Sequence, residues 1–250
     1  MNTAVKHPQH ILAIKKSFIT EFLNSDKSVN HADFSNFFEE ANEHLVIARR
    51  QELESNEEYL QILPYAVVTR LSGNIYDSAD KMNLLTYHRP VSGGESRLHG
   101  NTSIGFGGHI DLNDIVTDEN SVINLHDTVL ISMHREICEE LGVSTSDIHN
   151  TTLSYRLITH YSGEPVHKVH LGIVFIVVLT NNCEIYPEVI EIDYAGEFTA
   201  ADLIEMEKSG EIQMEAWSRL IAEEISSDPG LGSTGRFCFP EEEILDLFAR

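Results

Sequence analysis

A glycine-rich turn followed by a helix with three closely spaced carboxylates constrains this chain most. Residues 135–143 read Arg-Glu-Ile-Cys-Glu-Glu-Leu-Gly-Val, which places three glutamates within five positions. Apolar residues recur at helical spacing and predict a helix with one face in a core: Val129, Leu130, Met133, Ile137 and Leu141. Gly142, just past this stripe, predicts the C-terminal end of the helix.

The three glutamates, Glu136, Glu139 and Glu140, lie about one helical turn apart on a face beside the apolar stripe. Like charges this close repel each other, and a hard cation such as Mg²⁺ or Mn²⁺ would turn the repulsion into attraction. Arg135 is well placed to bond a neighbouring carboxylate. An isolated run of this kind is usually a solvated acidic face. The apolar stripe and the diglycine turn upstream, where backbone can approach a ligand closely, favour a metal site.

This segment resembles the Nudix box, in which a glycine, five residues, a glutamate and seven residues precede Arg-Glu-apolar-x-Glu-Glu-x-Gly-apolar. Residues 135–143 match the last nine positions fully, and Gly108 fits the opening glycine. Asp114 follows Gly108 after five residues, whereas Asp127 stands seven residues before Arg135. The box therefore contains an insertion of 127 − 114 = 13 residues, which leaves open which aspartate replaces the glutamate of the family.

The resemblance implies a set of metal ligands and a general base, carried over by position: Glu136, Glu139, Glu140 and the backbone carbonyl of Gly108. It also implies that Arg135 orients a glutamate without touching substrate. Nudix hydrolases often take a further ligand or base from a later loop, and Glu191 is the expected residue there. Mg²⁺ or Mn²⁺ is the implied cofactor, and a small-molecule diphosphate is the implied substrate.

Further similarity to a little-characterised, MutT-like group of predicted phosphoesterases covers most of the chain after the first sixty residues. Four short segments carry it: Leu63-Pro64-Tyr65, Arg97-Leu98-His99-Gly100, Val169-His170-Leu171-Gly172 and Trp217-Ser218. The implied fold is a Nudix-type α/β/α sandwich with a mixed β-sheet, and we place this domain at residues 63–250. Strands on either side of the metal helix, with helices after them, agree with an α/β class.

Residues 1–62 read as a mostly helical N-terminal extension. Two apolar groups at helical spacing, within residues 11–23 and 34–41, carry that prediction. We expect this extension to pack on the core or to form a homodimer contact. The inserted loop, residues 115–126, is polar and is expected to be exposed. It could cover the site or bind a partner.

The remaining elements follow from changes in period. Strands are predicted at residues 65–71, 82–89, 153–161 and 166–180, and helices at residues 200–208, 214–225 and 241–250. The nearly continuous apolar run at residues 171–179 predicts a central strand covered on both faces. This run is too short to cross a bilayer.

Forty acidic residues against seventeen basic ones give a formal charge of −23. This charge argues against nonspecific binding to nucleic-acid polymers or to anionic membranes. It would also repel a phosphate-bearing substrate, so metal and a few placed cations must attract it. Arg89 and Arg97 are candidate phosphate contacts, although surface arginines usually have no such role. His109, inside the glycine turn, is expected near the metal and the substrate phosphates.

The three cysteines show neither zinc-site spacing nor a disulfide framework, and the N-terminus lacks an apolar signal core. Both features favour a reducing, cytoplasmic location. The function expected is hydrolysis of a diphosphate linked to another moiety, as in nucleotides and their derivatives. The alternative is a non-catalytic Nudix-fold module that binds a nucleotide as a sensor. Such modules typically lose carboxylates from the box, whereas this chain keeps all three. Isomerisation of an allylic diphosphate is a third option, and the absence of a cysteine near the glycine turn speaks against it.

Overall fold

A computed structural model describes residues 9–23, 27–70, 82–89, 100–159, 168–187, 193–227 and 238–239. The strands are β1 (His10–Lys15), β2 (Val29–His31), β3 (Leu45–Arg49), β4 (Tyr59–Arg70), β5 (Leu84–His88), β6 (Thr102–Ser103), β7 (Gly105–Phe106), β8 (Ile148–Ile158), β9 (His170–Leu179), β10 (Asp193–Phe198) and β11 (Cys238–Phe239). The helices are α1 (Lys16–Leu23), α2 (Phe34–Ala41), α3 (Arg50–Leu53), α4 (Leu125–Leu141), α5 (Ala200–Ser209) and α6 (Ala216–Ser227). The chain is thus of the predicted α/β class.

The described residues fall into two compact units. The first comprises the described parts of Met1–Pro64, His109–Ser132 and Leu157–Ile173. The second comprises those of Tyr65–Gly108, Met133–Arg156 and Val174–Arg250. The boundary predicted at residue 62 stays a prediction. No helix in these described segments is long and apolar enough to cross a membrane.

The first unit corrects the expectation that residues 1–62 are mostly helical. Helices α1 and α2 form as expected, but residues 10–15 are strand β1, which pairs antiparallel with β3 and with the start of β4. Four consecutive residues of β1 are buried. A strand covered on both faces gives a short apolar run that periodicity alone cannot tell from a helix. Pairing with β3 and β4, far along the chain, decided the outcome.

Helices α1 and α2 of the first unit contribute a cluster of aromatic rings, which are Phe18, Phe22, Phe34, Phe37 and Phe38. Ring centroids of neighbouring pairs lie 5.3–6.2 Å apart, within the range for favourable aromatic contacts. This packing, rather than propensity, stabilises two helices of only eight residues each.

The second unit has an antiparallel sheet region around β5. Strand β5 pairs antiparallel with β10 and β6, and Leu84 at its start lies opposite Thr69 of β4. Strand β7 pairs with β4, with Ala66 opposite Phe106. The hydrogen-bonded strand order is β10-β5-β4-β9-β8-β11. Nine of the ten residues of β9 are buried, as the apolar run predicts.

Helix α4 carries the three glutamates and agrees closely with the sequence pattern. Its apolar stripe is buried, and Gly142 ends it with a φ of 63°, a left-handed conformation that glycine adopts without strain. At the other end, the Asn124 side chain accepts a hydrogen bond from the Asp127 N–H (3.2 Å), which caps the first turn.

The inserted loop is closed at its base, so it does not disturb the helix that follows. The Asn124 N–H donates to the Val116 carbonyl (2.8 Å), and the Thr128 hydroxyl accepts from the Val116 N–H (3.0 Å). Residues 117–122 between these anchors are exposed, as expected. The two ends of the inserted loop therefore lie close together.

Candidate functional site

The glycine turn contacts the acidic helix through Glu140. The Gly107 N–H donates a hydrogen bond of 3.0 Å to Glu140 Oε2. Glu140 is only 8% exposed, which is unusual for a glutamate. Hydrogen bonding to the charged form offsets part of the cost of burying it. The contact fixes one carboxylate of the box against the turn.

A second contact joins Gly108 to Glu136. A Cβ atom added at Gly108 would lie 2.5 Å from Glu136 Oε1 and 2.7 Å from its carboxyl carbon. No side chain larger than hydrogen fits there unless Glu136 moves. The backbone of Gly108 is not in the left-handed region, so the close approach of Glu136, and not the backbone conformation, explains why a glycine stands here.

Arg135 holds two of the three glutamates. Its Nη1 lies 2.9 Å from Glu136 Oε1 and 2.9 Å from Glu139 Oε2. The Glu139 side chain is 57% exposed and Glu136 is largely buried, so solvent reaches the former far more easily. The pairing of Arg135 with a neighbouring carboxylate is confirmed, while its role in catalysis stays a prediction.

Arg89, expected to contact phosphate, is engaged with the protein. Its Nε lies 2.7 Å from Glu215 Oε1, and its guanidinium lies 5.2 Å from the centroid of the Tyr87 ring. Burial opposes the charged form, but the neighbouring Tyr87, Glu215 and Glu140 raise the pKa of Arg89 above its usual value. Arg89 therefore stays protonated and adds positive charge near Glu140. Its proposed contact with substrate stays a prediction.

His109 belongs to the first unit and lies in a cluster of polar side chains. Its Nε2 lies 2.8 Å from Gln61 Oε1, and its ring centroid lies 5.6 Å from that of His170. Burial, with Arg50 and His170 nearby, lowers the pKa of His109 to about 3. His109 is thus neutral at pH 7, and its expected contact with substrate stays a prediction.

Both candidate aspartates serve their local turns. Asp114 is buried, and its Oδ2 accepts from the Asp111 N–H (3.0 Å) in a short 3-10 turn. Asp127 lies in the first turn of α4 and accepts from the Asn124 side chain (2.9 Å). The Asp114 carboxylate thus belongs to a capping box, and the Asp127 carboxylate holds the side chain of Asn124, the residue that caps α4. Arg97 and Glu191, the two other predicted site residues, lie outside the described residues.

The donor chemistry of the box fits a hard divalent cation. Glu136, Glu139 and Glu140 offer carboxylate oxygens, the ligands that Mg²⁺ and Mn²⁺ prefer. Within the described segments, no three His, Cys, Asp or Glu side chains lie close enough together to hold an ion. The Arg135 guanidinium, paired with two of the carboxylates, satisfies their charge in this arrangement.

Several residues around the turn were not singled out from the sequence. Tyr87 donates from its hydroxyl to the Gly105 carbonyl (2.9 Å), and the hydroxyl groups of Tyr65, Ser103 and Ser218 lie together in the interior. Two of them fall in the short segments Leu63-Pro64-Tyr65 and Trp217-Ser218. That resemblance was the available signal for them.

Comparison with known proteins supports the fold. No protein-family model matches the chain. Protein YmaB of Bacillus subtilis (strain 168) is 31% identical over 125 residues, which are 50% of this chain and 52% of that protein. The chain thus spans about half the length of the curated relative that it matches.

Solved structures extend the comparison. Tm1382, a candidate Nudix hydrolase, matches with a TM-score of 0.64 at 20% identity, over 88% of this chain and 99% of its own. A Nudix hydrolase from Alicyclobacillus acidocaldarius matches with a TM-score of 0.45 at 13% identity, over 70% of this chain and 96% of its own. The similarity to Tm1382 covers nearly the whole of both chains and confirms the predicted architecture. This chain therefore has the fold of the Nudix hydrolases.

Proposed function

We propose that this protein is a divalent-metal-dependent hydrolase of a diphosphate linked to another moiety, such as a nucleotide or a nucleotide derivative. The observation that carries the proposal is the contact between the glycine turn and the acidic helix. Gly107 binds Glu140, and Gly108 closely approaches Glu136, in a chain that keeps all three glutamates after Arg135. A solvated acidic face would need neither contact.

The residues that would hold a metal are Glu136, Glu139 and Glu140, with the carbonyl of Gly108. Bound Mg²⁺ or Mn²⁺ would neutralise phosphate charge and lower the pKa of a water molecule. This matters in a chain of formal charge −23, which otherwise repels a diphosphate. Without a bound metal ion, the positive charge of Arg135 offsets the repulsion between the carboxylates that it pairs with.

The three glutamates differ in what they can do. Glu140 is buried and bonded to the Gly107 backbone, which suits a ligand of fixed orientation. Glu139 is the most exposed of the three and is reachable by water, which favours it over Glu136 as the general base. A base outside the box, such as Glu191, remains an alternative.

The test is product release from a panel of diphosphate compounds, with Mg²⁺ or Mn²⁺ and again with chelator. The panel contains nucleoside triphosphates, nucleotide sugars, dinucleotides and dinucleoside polyphosphates. Glu140→Gln, which keeps the shape and removes the charge, is expected to abolish metal-dependent turnover. Glu205→Gln on an exposed position of α5 is the matched control and should be fully active.

Metal-dependent turnover that disappears in Glu140→Gln and persists in Glu205→Gln would establish the hydrolase and its substrate class. Full activity of Glu140→Gln would refute the assignment of this carboxylate. Tight binding of one compound without turnover of any would instead identify a nucleotide-binding module with this fold.

A further inference from the structure

Three hydroxyl groups from distant parts of the chain meet in the interior of the second unit. Tyr65 of β4 lies 2.9 Å, hydroxyl to hydroxyl, from Ser218 of α6, and Ser218 lies 3.1 Å from Ser103 of β6. Ser103 and Ser218 are fully buried, and Tyr65 is nearly so. We call these three residues the hydroxyl cluster. Burying three hydroxyls costs free energy unless each is bonded, so the cluster requires a reason.

Ser218 uses its whole hydrogen-bonding capacity. A serine hydroxyl has one proton to donate and two lone pairs to accept with. Its oxygen lies within reach of the Tyr65 and Ser103 hydroxyls and also accepts from the Ile104 N–H (3.1 Å). Since the backbone N–H can only donate, one hydroxyl donates to Ser218 and Ser218 donates to the other. Burial raises the pKa of Tyr65 above its usual value, so its phenol keeps the proton.

The cluster acts on one short stretch of backbone, residues 103–105. The Gly105 N–H lies 3.3 Å from the Ser103 hydroxyl, and the Tyr87 hydroxyl donates to the Gly105 carbonyl (2.9 Å). Gly105 has no side chain because the Tyr65 ring occupies the place where a Cβ would stand. Side chains from β5 and β6 thus bond the carbonyl and the N–H of Gly105, and the Ser218 side chain of α6 bonds the N–H of Ile104. These bonds leave the stretch little conformational freedom.

The same backbone continues into the glycine turn. Gly107, two residues beyond Gly105, donates to Glu140, and Gly108 approaches Glu136. A change of the position of residues 103–105 would therefore move both contacts together. Within the described part of the chain, the backbone groups that bond the cluster belong to Ile104 and Gly105.

We propose that Ser218 is a positioning residue: through the hydroxyl cluster it fixes residues 103–105, and so sets where Gly107 and Gly108 meet the carboxylates of α4. The consequence for metal binding and turnover rests on the proposed function, whereas the positioning of Gly107 does not. Helix α6 thereby acts on the backbone that leads into the glycine turn, through Ser218, which stands 115 residues from Ser103 in sequence.

The test compares Ser218→Ala and Tyr65→Phe with Thr69→Val. Ser218→Ala leaves the Ile104 N–H without its acceptor, and Tyr65→Phe removes one hydroxyl but keeps the ring against Gly105. Thr69→Val is the matched control, because it deletes a buried hydroxyl bond (2.8 Å to the Asn83 carbonyl) that does not involve the turn. Global stability is measured for all three by urea denaturation.

Two readouts separate positioning from stability. The first is amide hydrogen exchange of Gly107, followed by NMR, under conditions where local opening dominates. The second is the dissociation constant for Mn²⁺, measured by electron paramagnetic resonance without substrate. Ser218→Ala and Tyr65→Phe should speed Gly107 exchange by about tenfold and weaken Mn²⁺ by about tenfold, as loss of a ligand-orienting residue typically does. Thr69→Val should change neither.

Each outcome decides a separate point. Gly107 exchange in Ser218→Ala that rises no more than in Thr69→Val would overturn the positioning role. Tyr65→Phe keeps this conclusion testable should Ser218→Ala fail to fold. If Gly107 exchanges faster in Ser218→Ala but the wild-type protein binds no Mn²⁺, the positioning of Gly107 is supported and the metal in the proposed function is refuted.

Discussion

Replacement of Gly108 by alanine tests whether the close approach of the glycine turn to Glu136 serves the proposed hydrolysis. The added Cβ would stand 2.5 Å from Glu136 Oε1, whereas ordinary van der Waals contact begins at 3.4 Å. The carboxylate must therefore withdraw by 3.4 − 2.5 = 0.9 Å, or the turn must move by as much. A displacement of about 1 Å at a catalytic group can lower a rate by about a hundredfold.

Stability should change little in the same variant. The obstructing atoms belong to the far end of a flexible side chain, and the Gly108 backbone is not left-handed. Reduced entropy of the unfolded chain favours alanine by about 0.4–1 kcal/mol, which offsets part of the cost of moving Glu136. We therefore expect the free energy of unfolding to stay within about 1 kcal/mol of wild type while kcat falls by about a hundredfold.

The assay is metal-dependent hydrolysis of the best substrate from the panel, with urea denaturation of the same samples. Gly210→Ala is the control, because it should lower the free energy of unfolding and leave kcat unchanged. Gly210 ends α5 with a φ of 80°, and no atom of the described residues lies within 4 Å of an added Cβ. Alanine there therefore strains the backbone by about 1–2 kcal/mol without touching the site. Wild-type kcat in Gly108→Ala would refute the reasoning, because the close approach would then have no function.

Three further predictions concern the packing around the site. Gly105→Ala should lower the free energy of unfolding in urea by about 3 kcal/mol, because its Cβ would overlap the buried Tyr65 ring; an unchanged midpoint would contradict this. Arg89→Met should cost about 3 kcal/mol in the same assay by leaving Glu215 buried and unpaired, and adding Glu215→Met should recover most of it. Burial lowers the pKa of His134 from 6.5 to about 4, so the unfolded chain binds a proton at a higher pH than the folded protein does. The free energy of unfolding should therefore fall by on the order of 3 kcal/mol as the pH drops from about 6.5 towards 4. Urea titrations of a His134→Gln variant across this range should lack that part of the slope.

The sequence by itself determined the local features of this protein. Helix α4, its buried stripe and its end at Gly142 follow from period and from glycine chemistry, because those interactions are made within a few residues. The order of glutamates after Arg135 likewise set the ion pairs seen on the helix surface. The burial of β9 was likewise predictable from sequence, because a nearly continuous apolar run is stable only when it is covered on both faces.

The tertiary structure alone decided which distant residues meet. Strand β1 read as part of a helix because a short apolar run suits either structure, and pairing with β3 and β4 chose between them. The sequence did not indicate that Arg89 pairs with Glu215, which lies 126 residues away. Nothing in the sequence predicts that Tyr65, Ser103 and Ser218 contact one another, because they form a cluster only once α6 packs against the sheet of the second unit. Hydrogen bonds and close packing depend on ångström-scale distances between groups, and separation along the chain does not encode those distances.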